Sequence, residues 1–503
     1  MLVIDGYTFT PGARGTGTIV ISEVVELESI QRIWNVTRGA LIYEATNSQY
    51  GIVNIAVANG STTLTIETDT STMSASDDIQ ILVYDGTSGG GGGGSGASDG
   101  SIDAFGRTRV SQGLTLADYK NVYGIDPEIL LDTDGGGTLT HVANEASVLI
   151  TGVTTLDKYS AAQTRMYHNY QPGKSQLALV SFNLLSPVVN TYKRVGLFDS
   201  NNGLFLEMDG TGTLSFVKRS DVTGTSTDTP VAQSNWSVDP CDGTGPSGFD
   251  LDVTKTQLLF LDFQWLGVGR IRIGFVHDGT FIVAHEFYHS NQLATPYWSQ
   301  PSLPIRAEVS SDAVLAPAVA PTMKLICSTV LSEGGYLESG NDWSMASEIR
   351  AVGNANTTLP LIAIRLTGNI NGQPNRETIR LNGLSVISPV SGVKIEIIRC
   401  KSESAITGGS WGSLASYSGV EYNITATGYT PGVGDVVVDT FYVPAGQGQN
   451  APGLSNIINP NSSRQGYIAQ NIASNDSMAY LVRATSLGNN ATASAAIQWR
   501  EVS

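Results

Sequence analysis

The stretch from Arg270 to His289 sets the terms on which this chain can fold. Arg270 to Val276 alternates apolar and other residues, Asp278-Gly279 follows, and Thr280 to His289 resumes with β-branched and aromatic residues. A period of two on both sides of an Asp-Gly pair predicts two antiparallel strands and a two-residue turn. The same grammar recurs elsewhere. Thr18 to Ile21, Arg32 to Val36 and Thr63 to Thr68 alternate, with turn pairs at Asn59-Gly60 and Asp85-Gly86. Val195 to Phe198, Gly203 to Met208 and Thr213 to Val217 read as a meander, and Leu258 to Trp265 as the strand before the hairpin. Later runs are Leu359 to Leu366, Glu377 to Leu384, Val393 to Arg399, Asp435 to Val443, Met478 to Ala484 and Ala493 to Val502. With 56 glycines and scarce helical periodicity, the expectation is an all-β protein.

A chain of 503 residues exceeds one ordinary core. Its sharpest internal break is Gly89, Gly90, Gly91, Gly92, Gly93 and Gly94, followed by Ser95-Gly96-Ala97-Ser98. Glycine loses more conformational entropy on ordering than any other residue, so this run is read as a hinge. The expected organisation is a small N-terminal β module over 1–86 and a Gly/Ser-rich linker over 87–102. A central lectin-like or jelly-roll β-sandwich over 103–344 and a second β-sandwich over 345–503 follow.

Composition narrows the function. The net charge of -17, from 28 Lys+Arg against 45 Asp+Glu, disfavours nucleic acid as a partner, because that affinity rests on basic side chains releasing counterions. No apolar run approaches the ~18 residues of a spanning helix, so no membrane insertion is expected. The opening MLVIDGYTFTPG lacks the basic-then-apolar order of a secretory signal, which implies a protein made and kept in the cytoplasm until release. Three dispersed cysteines, Cys241, Cys327 and Cys400, imply no disulfide framework and no cysteine metal site. No cofactor is expected.

His285-Glu286-Phe287-Tyr288-His289 fits the zinc-peptidase pattern H-E-x-x-H, with Glu308 downstream as a conceivable third ligand. That chemistry needs a helix, where residues i and i+4 share a face about 6 Å apart. On a strand the two histidines stand about 13 Å apart. The preceding Thr280 to Ala284 is β-rich, so the motif is read as strand, with Phe287 on the histidine side and Glu286 and Tyr288 opposite. Asp132-Thr133-Asp134 and Asp209-Gly210-Thr211 are read as turns rather than calcium sites, since neither carries an EF-hand ligand series. Trp236, Tyr297, Trp298, Trp343 and Trp411 fall in loop-like segments rich in Ser, Asn and Gly. They are candidates for gripping sugar rings, against the alternative that they cap a sandwich end or a subunit seam.

The central segment carries wording that resembles structural proteins of tailed-bacteriophage particles. The matching stretches are Asp103-Ala104-Phe105-Gly106-Arg107, Gln264-Trp265-Leu266-Gly267-Val268-Gly269-Arg270, Leu303-Pro304-Ile305-Arg306 and Ser332-Glu333-Gly334-Gly335-Tyr336. The resemblance implies a non-enzymatic tail-fibre, baseplate or neck component found in the virion. Its first module would attach to other virion proteins, and it would assemble with copies of itself, by family analogy as a trimer. A capsid-decorating protein, a module binding host surface polysaccharide, and a polysaccharide depolymerase stand as alternatives.

Overall fold

The computed structural model describes residues 2–4, 7–22, 30–44, 52–58, 60–83, 113–337, 339–450, 467–471 and 476–502. The glycines 89–94 read as a hinge, and the motif at 103–107, lie outside the described residues. The chain divides into two compact units, Met1–Asp99 and Gly100–Ser503.

The first unit holds two four-stranded sheets. Gly17–Ile21 and Ser61–Ile66 alternate strictly in burial and pair antiparallel, so one face of each reaches the core. That core is almost wholly isoleucine and leucine: Ile19, Ile21, Ile33, Ile42, Leu64, Ile66 and Ile81, with Phe9 at its side.

The second unit contains two sandwiches, each with its own core. In the central one a seven-stranded sheet faces an eight-stranded sheet. The meander Thr191–Phe198, Gly203–Met208 and Leu214–Ser220 forms consecutive neighbours of the first sheet. The late strand Ile305–Ser311 inserts between Tyr159–Thr164 and Thr191–Phe198. In the second sheet, Thr322–Glu333 likewise pairs with the much earlier Ser175–Asn183. Such long returns are the mark of jelly-roll winding, in which late strands close the sheets that early ones began.

The expected hairpin is present. Ile271–His277 pairs with Thr280–Phe287 across Asp278 and Gly279, whose φ angles of 47° and 82° are those of a type I′ turn. Its register breaks once, where Ile273 faces His285 but Gly274 faces Val283, leaving Ala284 as an extra residue. Glycine is required opposite this bulge, because a Cβ on residue 274 would approach the Ile282 carbonyl oxygen to 2.0 Å.

The C-terminal sandwich packs two six-stranded sheets over a core that includes Ile364, Leu381, Ile397, Tyr480, Val482 and Trp499. Its first strand, Asn341–Ala346, pairs with the final strand, Ala491–Val502, so the expected boundary at 344/345 cuts through an element of the second sandwich. The two sandwiches touch through buried polar groups. Arg399 pairs with Glu128 at 2.7 Å, Arg376 pairs with Asp199, and Asn169 donates to the Val502 carbonyl at 3.1 Å. Removing one member of such a pair strands a charge away from water, which fixes the seam in one arrangement.

Candidate functional site

Ile305–Ser311 runs through the middle of the seven-stranded sheet. Ile305, Ala307 and Val309 enter the core, so alternation turns Arg306, Glu308 and Ser310 to the other face. Pairing brings partners to the same face. Gln163 and Gly196 flank Arg306, and Arg194 stands beside Glu308. Glu207 lies opposite Arg194, and Arg219 opposite Asp228.

Glu207, Arg194, Glu308, Arg306 and Asp132 form one ionic lattice, and Arg219 and Asp228 form a separate pair beside it. Arg194 donates to Glu207 at 2.7 Å and to Glu308 at 2.8 Å. Arg306 donates through Nε and Nη2 to Glu308 at 2.8 and 2.7 Å, and through Nη1 to Asp132 at 2.5 Å and Gln163 at 2.6 Å. The Tyr159 hydroxyl donates to the other oxygen of Asp132 at 3.0 Å. Arg219 holds Asp228 in a two-pronged contact, both bonds 2.8 Å. Burial alone would raise the Glu308 carboxyl, but Arg306 and Arg194 overcome it and hold the group at about 2. Burial first, and then the Asp132 charge, push the Tyr159 hydroxyl up to about 12.

Beneath the charges lies a small apolar layer on this same outer face: Phe198, Phe205 and Val217, all buried. Guanidinium groups roof it. Arg219 sits 5.2 Å from the centre of the Phe205 ring and Arg306 5.8 Å from that of Phe198, so the arginines cover aromatic faces while pairing with carboxylates.

Above the lattice opens a cleft of about 680 Å³, whose walls include Tyr159, Tyr167, Asp199, Arg219, Asp228 and Arg306. The C-terminal sandwich reaches its edge. Arg376 pairs with Asp199 and lies 5.4 Å from the centre of the Tyr167 ring. Two backbone amides, those of Asn201 and Asn202, donate to Asp199 Oδ1 at 2.8 Å, so this wall is braced from both sides.

The aromatic residues expected to grip sugars lie elsewhere, and for three of them the reading is corrected. Trp236, Tyr297 and Trp298 are buried in the central core, Trp236 stacked on Phe216 at 4.1 Å, and no ring face is left for a ligand. Trp343 and Trp411 are half-buried; the first packs near Tyr417, and the second has Arg365 4.4 Å from its ring centre.

The H-E-x-x-H segment is a strand through Phe287. The bulge at Ala284 resets the alternation, so His285, Phe287 and His289 are buried while Glu286 and Tyr288 lie outside and bond to one another. His285 Nδ1 accepts the Ser237 amide at 3.0 Å. His289 donates from Nδ1 to the Gly269 carbonyl at 2.8 Å, accepts from Lys218 at Nε2 at 3.0 Å, and stacks on Tyr297 at 4.0 Å. Burial is the first cause that lowers both imidazoles to about 4. Glu308, considered as a third ligand, is clamped between two arginines on the outer face. Asp209 accepts the Thr211 and Thr213 amides of its own turn at 2.8 and 2.9 Å.

Sequence reading passed over the lattice itself. Its visible signal is Arg306-Ala307-Glu308, charged residues at alternate positions inside an apolar strand of a chain only 15% charged. The molecule is thus defined by two β-sandwiches and a cleft floored by arginine–carboxylate pairs. No protein-family model matches the sequence. No curated protein matches it either. Among solved structures it is distantly similar to the Bacillus licheniformis β-glucanase, with 10% identity, 44% of this chain and 98% of that one covered, and a TM-score of 0.27. The carbohydrate recognition domain of Emp47p gives 11%, 45%, 99% and 0.27. The CBM2 module of the evolved Dit of Lactobacillus casei BL23 phage J-1 gives 7%, 45%, 99% and 0.30. Similarity this distant assigns neither a ligand nor an activity.

Proposed function

We propose that this chain is a non-enzymatic structural protein of a tailed-bacteriophage particle, and that its central sandwich binds a neutral saccharide in the outer cleft. The observation that carries the binding reading is the cleft itself. It combines tyrosines with hydrogen-bonding groups that are locked in place before any ligand arrives, which lowers the ordering cost of recognition. Arg219, Arg306, Asp132, Asp199, Asp228 and Glu308 are each paired with an opposite charge, so the surface offers directional donors and acceptors without a net demand for a charged ligand. Hydroxyl groups of a sugar meet that description.

A binding rather than hydrolytic role is supported by the same pairs. Glycoside cleavage needs one carboxyl kept protonated near neutral pH beside a second that is ionised. Glu308 is instead held ionised down to about pH 2. The particle assignment is supported by the sequence resemblance and by a charge-poor, cysteine-poor composition. Copies of the chain, other virion proteins and host surface polysaccharide are the partners this reading implies.

The test is titration of neutral oligosaccharides into the full chain and into Asp228→Asn, which removes a partly exposed wall carboxylate. Saturable binding that weakens at least tenfold in the variant, at unchanged melting temperature, is expected. Absence of binding at millimolar ligand, or equal binding by both proteins, would refute the cleft as the site.

A further inference from the structure

The strand Ile52–Ala58 is an edge of its sheet in the first unit. On one side it pairs antiparallel with Ser61–Ile66, and among the described residues no strand pairs with its other side. Alternate residues of an antiparallel ladder turn their N–H and C=O groups to opposite sides, so the open side presents a row of backbone donors and acceptors. Elsewhere the chain guards such edges. Thr227–Ala232 carries Asp228 and Pro230, Val436–Val443 carries Asp439, and Asn341–Ala346 carries Asp342. Tyr7–Thr10, at the opposite edge of the same sheet, is four residues long. Charge, proline and shortness all keep an edge from being captured by another strand. Ile52–Ala58 has none of the three. Its one irregularity is a bulge at Val53, after which Asn54 to Ala58 pair without a break.

The side chains leave the same margin open. Ile55 lies opposite the buried Leu64 and Val57 opposite Thr62, so both point to the core side of the sheet. Ile52 and Ile55 pack against the core, yet Val57 is 55% exposed and Val53 57%. A further strand along this edge would pair the backbone and cover the valines together.

Charge and register point to one occupant. The chain carries a net charge of -17, so copies of it repel one another, but no residue from Ala45 to Ile66 is charged. Two copies therefore meet here with little local repulsion. The strand is also matched to itself. Antiparallel pairing about a two-fold axis at Ala56 sets Ile55 against Val57 of the second copy and Val57 against its Ile55, with Ala56 opposite Ala56 and Asn54 opposite Ala58.

We propose that Ile52–Ala58 joins two copies of this chain edge to edge, making one continuous sheet of their first units. The contact is isologous, with backbone hydrogen bonds supplying affinity and the Ile55–Val57 pairs fixing the register. It depends neither on the outer cleft nor on the particle assignment, and each can fail without the others.

The test is sedimentation equilibrium of the full chain from micromolar to submillimolar concentration. Ala56 is exposed, and a charge placed there meets its own copy across the axis. The native chain is expected to associate in even numbers. Ala56→Lys is expected to halve that mass or to weaken association more than tenfold, and Ala56→Glu likewise, because like charges directly opposite oppose strand pairing. An equimolar mixture of the two variants is expected to restore the native mass. Should these variants not fold, Asn54→Lys mixed with Ala58→Glu, at exposed positions that face each other in the pairing, carries the test. A native chain that stays monomeric throughout, an association that the single charged variants leave unchanged, or a mixture that associates no better than either variant alone would overturn the proposal.

Discussion

Replacing Glu308 by glutamine removes the central anion of the outer lattice while keeping its shape. In the native protein Glu308 is 6% exposed and accepts three hydrogen bonds, one from Arg194 and two from Arg306. Its folded value of about 2, set against an ordinary 4.5, is a gap of 2.5. At about 1.4 kcal/mol per pH unit this amounts to about 3 kcal/mol at neutral pH. The cost of breaking a buried pair from one side is of the same order, about 3–5 kcal/mol. The sign follows from the lowered value. The stabilisation is complete above pH ~4.5 and is lost as pH falls through ~2, so the deficit of the variant narrows to about 2 kcal/mol by pH 3.5. Because the chain holds several cores, a global melt would blend their transitions. Hydrogen exchange of the peptide spanning Ile305–Ser311 isolates the site. A loss of about 3 kcal/mol corresponds to exchange roughly a hundredfold faster in Glu308→Gln at pH 7. A change of less than about fivefold, or one that does not shrink in acid, would refute the reasoning.

Three further outcomes follow from the structure. The imidazoles of His285 and His289 titrate near pH 4 in an NMR pH series, and stability falls as pH drops from about 6.5 toward 4 because the unfolded chain takes up those protons first; midpoints near 6.5 would contradict their burial. Gly279→Ala places a Cβ at φ 82° with nothing within 4 Å, so only backbone strain acts, and urea unfolding should register a loss of about 1 kcal/mol. Arg376→Ala leaves Asp199 without its partner across the seam and is expected to weaken saccharide binding about tenfold, read in the same titration as Asp228→Asn; unchanged affinity would separate the C-terminal sandwich from the cleft.

The strands were legible because half-buried sheets impose a period of two that side chains must obey. Asp278-Gly279 placed its hairpin for the same reason, since few pairs tolerate two positive φ angles. The bulge at Ala284 carries no such mark, although Gly274 opposite it hints at a close backbone approach. The cleft was not legible as a site. Asp132 and Arg306 meet although 174 positions separate them, because a late strand inserts between early ones, and no local pattern encodes that order. Trp236 and Tyr297-Trp298 misled for the converse reason. Their neighbours have the composition of surface loops, yet the rings themselves are part of the central core.

Saccharide binding in the outer cleft is tested most directly by determining the structure of the full chain with a neutral oligosaccharide that it binds in solution. A sugar seated over Arg306 and Asp228, with hydroxyls bonded to the lattice and Tyr159 or Tyr167 beside a ring, is the predicted result. A sugar bound elsewhere, with the cleft filled only by water, would contradict it.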